Sequence, residues 1–267
     1  MRFRLTLKSD VSLLIPFNYQ YALAGAFYHL VAEASPEYAT WLHDHGFLDE
    51  KKSFKHFAFS KLFSDPKPTP AGQMLQYPMD LTWLVSIAAP ETAKQFIIGI
   101  FQERQFYISS TSNIVRIKFV EQIPDPEFRE QMRFKSISPI LVEHGRMIVD
   151  NAGRKKMYSQ HLQPGDPKMS QIIDSNLKRK WKSLNPTHEL PESWAVEFLP
   201  DMAYIASKPN GKVSKMISFT TAEGHRVNRR CFECPFELKG TPELMETAYQ
   251  SGLGHENAMG FGMIEII

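Results

Sequence analysis

The chain has 267 residues, 43% of them hydrophobic, and a formal charge of only +2 at neutral pH. That length suits about two domains, and the apolar content is ample for packed cores, which excludes a mainly disordered chain. Charged residues interrupt every apolar stretch well before the roughly 18 residues a membrane span needs, and the amino terminus lacks the apolar segment of a secretory signal, so a cytoplasmic protein with no membrane partner is expected.

In chain order, residues 1–8 alternate polar and apolar and predict a strand from residue 2, with Phe3, Leu5 and Leu7 on its buried face. A helix over 17–32, a shorter helix over 36–43 and a strand over 55–61 follow. In that strand Lys55, Phe57, Phe59 and Lys61 share one face by period, which sets Lys55 at the sheet edge beside two aromatic rings. Beyond the proline-rich segment 65–70 the pattern predicts a strand over 81–88, a helix over 90–102, and strands near 105–109 and 113–120. Pro124-Asp-Pro126 reads as a boundary, dividing the chain into domains 1–125 and 126–267. The second domain predicts a strand at 134–142, a helix at 168–184, and strands near 193–206, 213–219 and 231–238. A helix capped by Thr241, with proline in its first turn, leads to a terminal strand. Each half approximates the order β-α-β-β-α-β. The expected fold is therefore α+β, two tandem ferredoxin-like (RRM-like) βαββαβ domains, a platform widely used for RNA.

Three features carry chemical information. Cys231 and Cys234 form one CxxC pair, which supplies too few ligands for structural zinc. On a strand such residues point to opposite faces, so they read as ordinary cysteines, and neither a metal nor another cofactor is expected. Charge is local: Lys178-Arg179-Lys180-Trp181-Lys182 is a basic run, and Lys208, Lys212, Lys215, Arg226, Arg229 and Arg230 face the single acid Glu223. Basic clusters on a near-neutral chain fit a nucleic-acid groove, with a solvated face as the competing reading. Lys178, Arg179, Lys180, Arg229 and Arg230 are the candidate backbone contacts.

The third feature is the tail Gly252-Leu-Gly-His-Glu-Asn-Ala-Met-Gly-Phe-Gly262, with glycines at 252, 254, 260 and 262. Glycine lets a phosphate approach backbone N–H groups closely, so this loop is a candidate grip for a polyanion. It follows a helix and precedes a strand, which separates it from a P-loop. His255, Asn257 and Phe261 are left undecided as further contacts.

The glycine loop, the segment Pro16–His29 and the segment Ser35–Asp44 together resemble the Cas-six family, CRISPR repeat-processing endoribonucleases of the RAMP superfamily. The resemblance covers the first sixty and last thirty residues; the middle matches by order of elements. It implies a metal-independent endoribonuclease that binds the repeat of a precursor CRISPR RNA and cuts it by attack of a ribose 2′-hydroxyl, leaving a 2′,3′-cyclic phosphate and a 5′-hydroxyl. It also implies a catalytic tyrosine, histidine and lysine. These are Tyr28, which ends Gly25-Ala-Phe-Tyr, His43, which ends Thr40-Trp-Leu-His, and Lys55, which opens Lys-His-Phe-Ala-Phe-Ser60. His45, with His29 and His56, competes for the histidine role, and Lys52 and Lys51 for the lysine role. These residue types suit such a cleavage. Imidazole moves protons near neutral pH, lysine supplies fixed charge, and a phenol donates to a phosphate oxygen.

CRISPR repeat RNA is thus the expected partner, other CRISPR-associated proteins are further ones, and the chain is expected to be a monomer or homodimer. The first alternative is a non-catalytic RAMP protein that scaffolds a guide-RNA complex. The second is a two-domain enzyme that holds a small phosphorylated ligand in the glycine loop.

Overall fold

The computed structural model describes residues 1–50, 52–149, 155–220 and 224–267. The first half runs β1 (Arg2–Lys8), β2 (Leu13–Pro16), α1 (Gln20–Ala34), α2 (Pro36–Asp44), β3 (Phe47–Asp49), β4 (Lys52–Phe54), β5 (Phe57–Phe59), β6 (Thr69–Ala71), β7 (Met74–Tyr77), β8 (Asp80–Ile87), α3 (Pro90–Gln102), β9 (Gln105–Ile108) and β10 (Ser110–Ile123). Its main sheet is antiparallel with order β5-β8-β1-β10-β9. Leaving out β9, which extends the edge, this is the ferredoxin-like arrangement with α1 and α3 as the two crossover helices.

The second half runs β11 (Gln131–Ser136), β12 (Glu143–Val149), β13 (Lys155–His161), α4 (Met169–Leu184), β14 (Val196–Pro200), α5 (Met202–Ala206), β15 (Ser214–Thr220), β16 (Arg226–Phe232), β17 (Pro235–Gly240), α6 (Pro242–Ser251) and β18 (Ile264–Ile266). The sheet order β14-β17-β11-β18 repeats the same topology, with α4 and α6 as crossovers. Two hairpins, β12–β13 and β15–β16, are inserted between its elements.

Each unit has its own core. In the first, α1 buries Leu23, Phe27, Leu30 and Val31 against the sheet. The Phe27 ring stacks on Phe57 at 3.7 Å and on Phe96 of α3 at 4.9 Å, an aromatic layer that joins both helices to β5. In the second, α4 contributes Ile173 and Leu177 and α6 contributes Leu244, Met245 and Ala248. The units meet through α6. Arg2, buried at 2% exposure, donates to the Tyr249 carbonyl at 2.8 Å and lies 3.5 Å above the Tyr249 ring. Ser86 donates to the same carbonyl, and Ala58, Leu84, Ile137 and Met263 form a small apolar cluster across the junction.

Several elements differ from expectation for local reasons. The strand expected over 55–61 is β5 alone, because His56 takes a left-handed φ of +54° and ends the alternation that would have put Lys55 on the Phe57 face. The region 193–206 is β14 followed by a turn of helix, capped where the Asp201 side chain accepts from the Tyr204 amide. The strand expected over 231–238 splits at Glu233 and Cys234 into β16 and β17. Both cysteines are buried, which pushes each thiol up to about 12. No helix among the described residues is long and apolar enough to cross a membrane.

Candidate active site

A cleft of about 730 Å³ opens between the units, lined on one side by Tyr28, His43, Lys52 and Lys55 and on the other by Lys180 and the glycine loop from Gly254 to Met259. Three elements of the first unit deliver its side chains. Tyr28 sits on α1 beside the core stripe, its ring edge-on to Phe27 and Phe57. α2 is short and firmly bounded: Ser35 caps it by accepting from the Tyr38 amide, Pro36 occupies its first turn, and both His45 and Gly46 return their amides to the Trp41 carbonyl. His43 therefore falls in its last turn, where a helix favours positive charge. Gly46, at φ +63°, closes the helix and leaves room for the Lys55 stem: a Cβ there would come 2.9 Å from Lys55 Cδ.

The Tyr28 and His43 rings meet edge to face at 5.2 Å. Asp44 Oδ1 lies 2.8 Å from His43 Nδ1. A carboxylate only accepts, so Nδ1 carries a proton, and in the neutral ring Nε2 presents its lone pair. The same contact holds the Asp44 carboxyl below its usual range. Burial raises the Tyr28 phenol well above the ordinary tyrosine value, and Asp44 adds to the shift, so Tyr28 stays protonated and acts as a donor. Burial also lowers the Lys55 ammonium, against an opposing pull from Asp44.

The competing residues separate by position. His45 is exposed and absent from the cleft lining, and His29, also absent from it, faces Glu33 at 3.7 Å in a shallow groove on the outer side of Tyr28 and His43. His56 is buried with both ring nitrogens bonded, to Ser251 at 3.0 Å and Ser183 at 2.8 Å. Lys52 shares the cleft with Lys55, and Lys51 lies outside the described residues.

The other wall overturns the expected role of several residues. Lys180, read from sequence as a surface contact for RNA, is 2% exposed. Its ammonium donates to the carbonyls of Gly252 (2.6 Å) and Gly254 (2.8 Å) and to Asn257 Oδ1 (2.6 Å). Burial lowers it to about 7, while three acceptors match the three N–H donors of its charged form. Asn257 Nδ2 in turn donates to the Leu253 and Phe261 carbonyls. The loop thus turns four carbonyls inward onto one lysine and one asparagine. Some of its amides are committed as well: those of Leu253, His255, Gly260 and Gly262 donate to the carbonyls of Gly262, Leu141, Asn257 and Pro139.

Gly252, Gly254, Gly260 and Gly262 are all buried, and the amides of Gly260 and Gly262 are spent on Asn257 and Pro139, which argues against those two gripping phosphate. Gly262 (φ +73°) is needed because a Cβ would stand on the Leu253 carbonyl oxygen. Phe261 is buried among Leu141, Ile217 and Cys231. What the loop shows to the cleft is the segment from Gly254 to Met259. His255 accepts the Glu143 amide at Nδ1, and burial followed by the Lys180 charge lowers it to about 4, so it is neutral.

The remaining basic residues are mostly engaged. Lys178 pairs with Asp174 at 2.8 Å, one turn earlier on α4. Arg179 clamps the β3–β4 turn, reaching the Asp49 carboxylate at 2.6 Å and its carbonyl at 2.8 Å. Arg229 bonds Glu256 of the glycine loop at 2.8 Å through Nε. Arg230 is exposed. Trp181 packs against Trp194 at 4.9 Å and the second core. The two serines that hold His56 went unread in the sequence, since isolated serines carry no signal. Lys180 did carry one: Ile173, Leu177 and Lys180 share the buried face of α4 by helical period.

Residues 14–119 match the family model described as CRISPR-associated protein Cas6, N-terminal, and residues 123–266 match that for CRISPR associated protein Cas6, C-terminal. The chain is 26% identical over 268 residues to CRISPR-associated endoribonuclease Cas6 1 of Methanocaldococcus jannaschii, covering 99% of this chain and 92% of that protein. It is 25% identical over 278 residues to CRISPR-associated endoribonuclease Cas6 of Pyrococcus furiosus, covering 100% and 90%. A solved structure from a Cas6-related gene of Pyrococcus furiosus superposes with a TM-score of 0.78 at 19% identity, covering 100% of this chain and 98% of that one, a likeness of fold. Two family models that between them run nearly end to end, over a doubled ferredoxin-like fold, assign the chain to the Cas6 family of CRISPR-associated proteins.

Proposed function

We propose that the protein is a metal-independent endoribonuclease that cuts CRISPR repeat RNA, with Tyr28, His43 and Lys55 as its catalytic groups. The observation that carries this reading is that residues from α1, α2 and the β4–β5 connection line one cleft, with an oriented imidazole among them. The two curated relatives are named as endoribonucleases, which supports the activity.

In the proposed step the 2′-oxygen bonds to phosphorus and the phosphorus–5′-oxygen bond breaks. One proton leaves the 2′-hydroxyl and one arrives on the 5′-oxygen, so His43 Nε2 can return what it takes. Tyr28, held protonated, donates to a phosphate oxygen, and Lys55 faces the charge that gathers on the phosphorane. No nucleophile from the protein is required.

The test uses repeat RNA in EDTA, alongside the same RNA with a 2′-deoxy sugar just upstream of the cut. Cleavage of the first RNA alone is expected, with His43→Ala slowing it by about 10²–10⁴. Tight binding without cleavage would favour a scaffold, and cleavage of the deoxy substrate would sink the mechanism.

A further inference from the structure

We infer that His56 is a positioning residue: it pins the turn that carries Lys55 to the second unit and so fixes where the Lys55 ammonium stands in the cleft. This rests on the reading of Lys55 as a catalytic group. His56 is 3% exposed and holds φ +54°, a conformation that residues other than glycine adopt sparingly and keep only where their surroundings hold them.

The surroundings here are specific. Ser183 on α4 donates its hydroxyl to the Lys180 carbonyl at 2.8 Å, so its oxygen accepts the Nε2–H of His56 at 2.8 Å. That tautomer leaves Nδ1 bare, and it accepts from the Ser251 hydroxyl at the end of α6, 3.0 Å away. Donation therefore runs in one sense, from Ser251 through His56 and Ser183 to the Lys180 backbone. The rings of Phe47 and Phe54 flank the imidazole at 5.2 and 5.8 Å.

The neighbours of His56 in sequence explain why this matters. Lys55 lines the cleft half-buried, while Phe57, at the cleft floor, is fully buried and stacked on Phe27 in the first core. The chain passes from solvent-facing cleft to core across the single residue His56. Any other backbone angle at that position redirects Lys55 relative to Tyr28 and His43. The serine contacts come from the second unit, so the link also sets Lys55 relative to the glycine-loop wall.

The decisive variants are His56→Asn, which tolerates a left-handed φ but cannot span both serines, and the pair Ser183→Ala with Ser251→Ala, which leaves the imidazole and backbone in place. Repeat-RNA Kd and the single-turnover rate at saturating RNA are measured below the melting temperature of each variant. The expected result is a rate about 10- to 100-fold lower with Kd within about threefold, as a small displacement of a catalytic group produces. In a Lys55→Ala background the same changes should alter the rate by less than about twofold, because the group they position is gone.

An unchanged rate in the folded serine pair, or a full additional loss in the Lys55→Ala background, would overturn the inference; if His56→Asn does not fold, the serine pair decides. A normal rate in Lys55→Ala alone would instead remove the catalytic role of Lys55 and this inference with it.

Discussion

Tyr28 separates two chemical roles that a sequence leaves merged. A catalytic tyrosine can serve as base or as donor, and burial beside Phe27 and Phe57 pushes its phenol upward, away from ionisation. In the proposed mechanism the base is then the oriented His43. Tyr28→Phe keeps the ring packing and deletes only the donor, so a loss of about 10²–10³ in single-turnover rate with little change in RNA Kd is expected. An unchanged rate would leave Tyr28 as part of the cleft wall. Tyr28 and His43 were put forward through the resemblance, each ending a short motif on a helix, and the structure brings the two rings together in one cleft. Lys55 was legible as a residue but not as a position. The strand period used to place it fails at His56, whose backbone angle depends on serines 127 and 195 residues further along the chain.

At the scale of elements, α4 shows how a basic run misleads. Lys178, Arg179 and Lys180 are adjacent in sequence, yet a helix turns them about 100° apart, and only Lys180 continues the stripe of Ile173 and Leu177. Its ammonium is the hub of the glycine loop, whereas Lys178 makes a partly exposed pair with Asp174. Lys180→Met fills similar volume but strands two carbonyls and Asn257 Oδ1, each at roughly 1–3 kcal/mol when buried. Denaturant titration should therefore show a loss of several kcal/mol for Lys180→Met and a change of no more than about 0.5 kcal/mol for Lys178→Met. Equal effects from the two would mean that the ammonium does not organise the loop. The glycine motif was readable as special. Its physical reason was not, because the carbonyls close on Lys180 of α4 and the loop amides reach Pro139 and Leu141, partners that no local window contains.

The whole molecule is two similar units whose shared boundary is polar as well as apolar, and pH reaches that boundary through buried imidazoles. The doubled β-α-β-β-α-β order was visible in the sequence because crossover helices and core strands carry strong periodicity, while the inserted hairpins β12–β13 and β15–β16 blurred it by adding strands that pair only with each other. At the boundary, burial and then the Lys180 charge depress His56 to about 3, against an ordinary value of 6.5. The unfolded chain therefore takes up a proton below pH 6.5 that the folded protein refuses. The stability this gives is complete above pH 6.5 and is lost progressively as pH falls towards 3. At pH 5 the loss from His56 is about 2 kcal/mol. His255, depressed to about 4 by the same causes, adds a loss of similar size over the same interval. Urea unfolding at pH 7 and pH 5 should show the difference, and His56→Gln should remove about half of it, since the amide cannot take up the proton. A flat stability between those two pH values would mean that the two units are not joined through a neutral His56, and that the circuit from Ser251 to the Lys180 backbone is broken in solution.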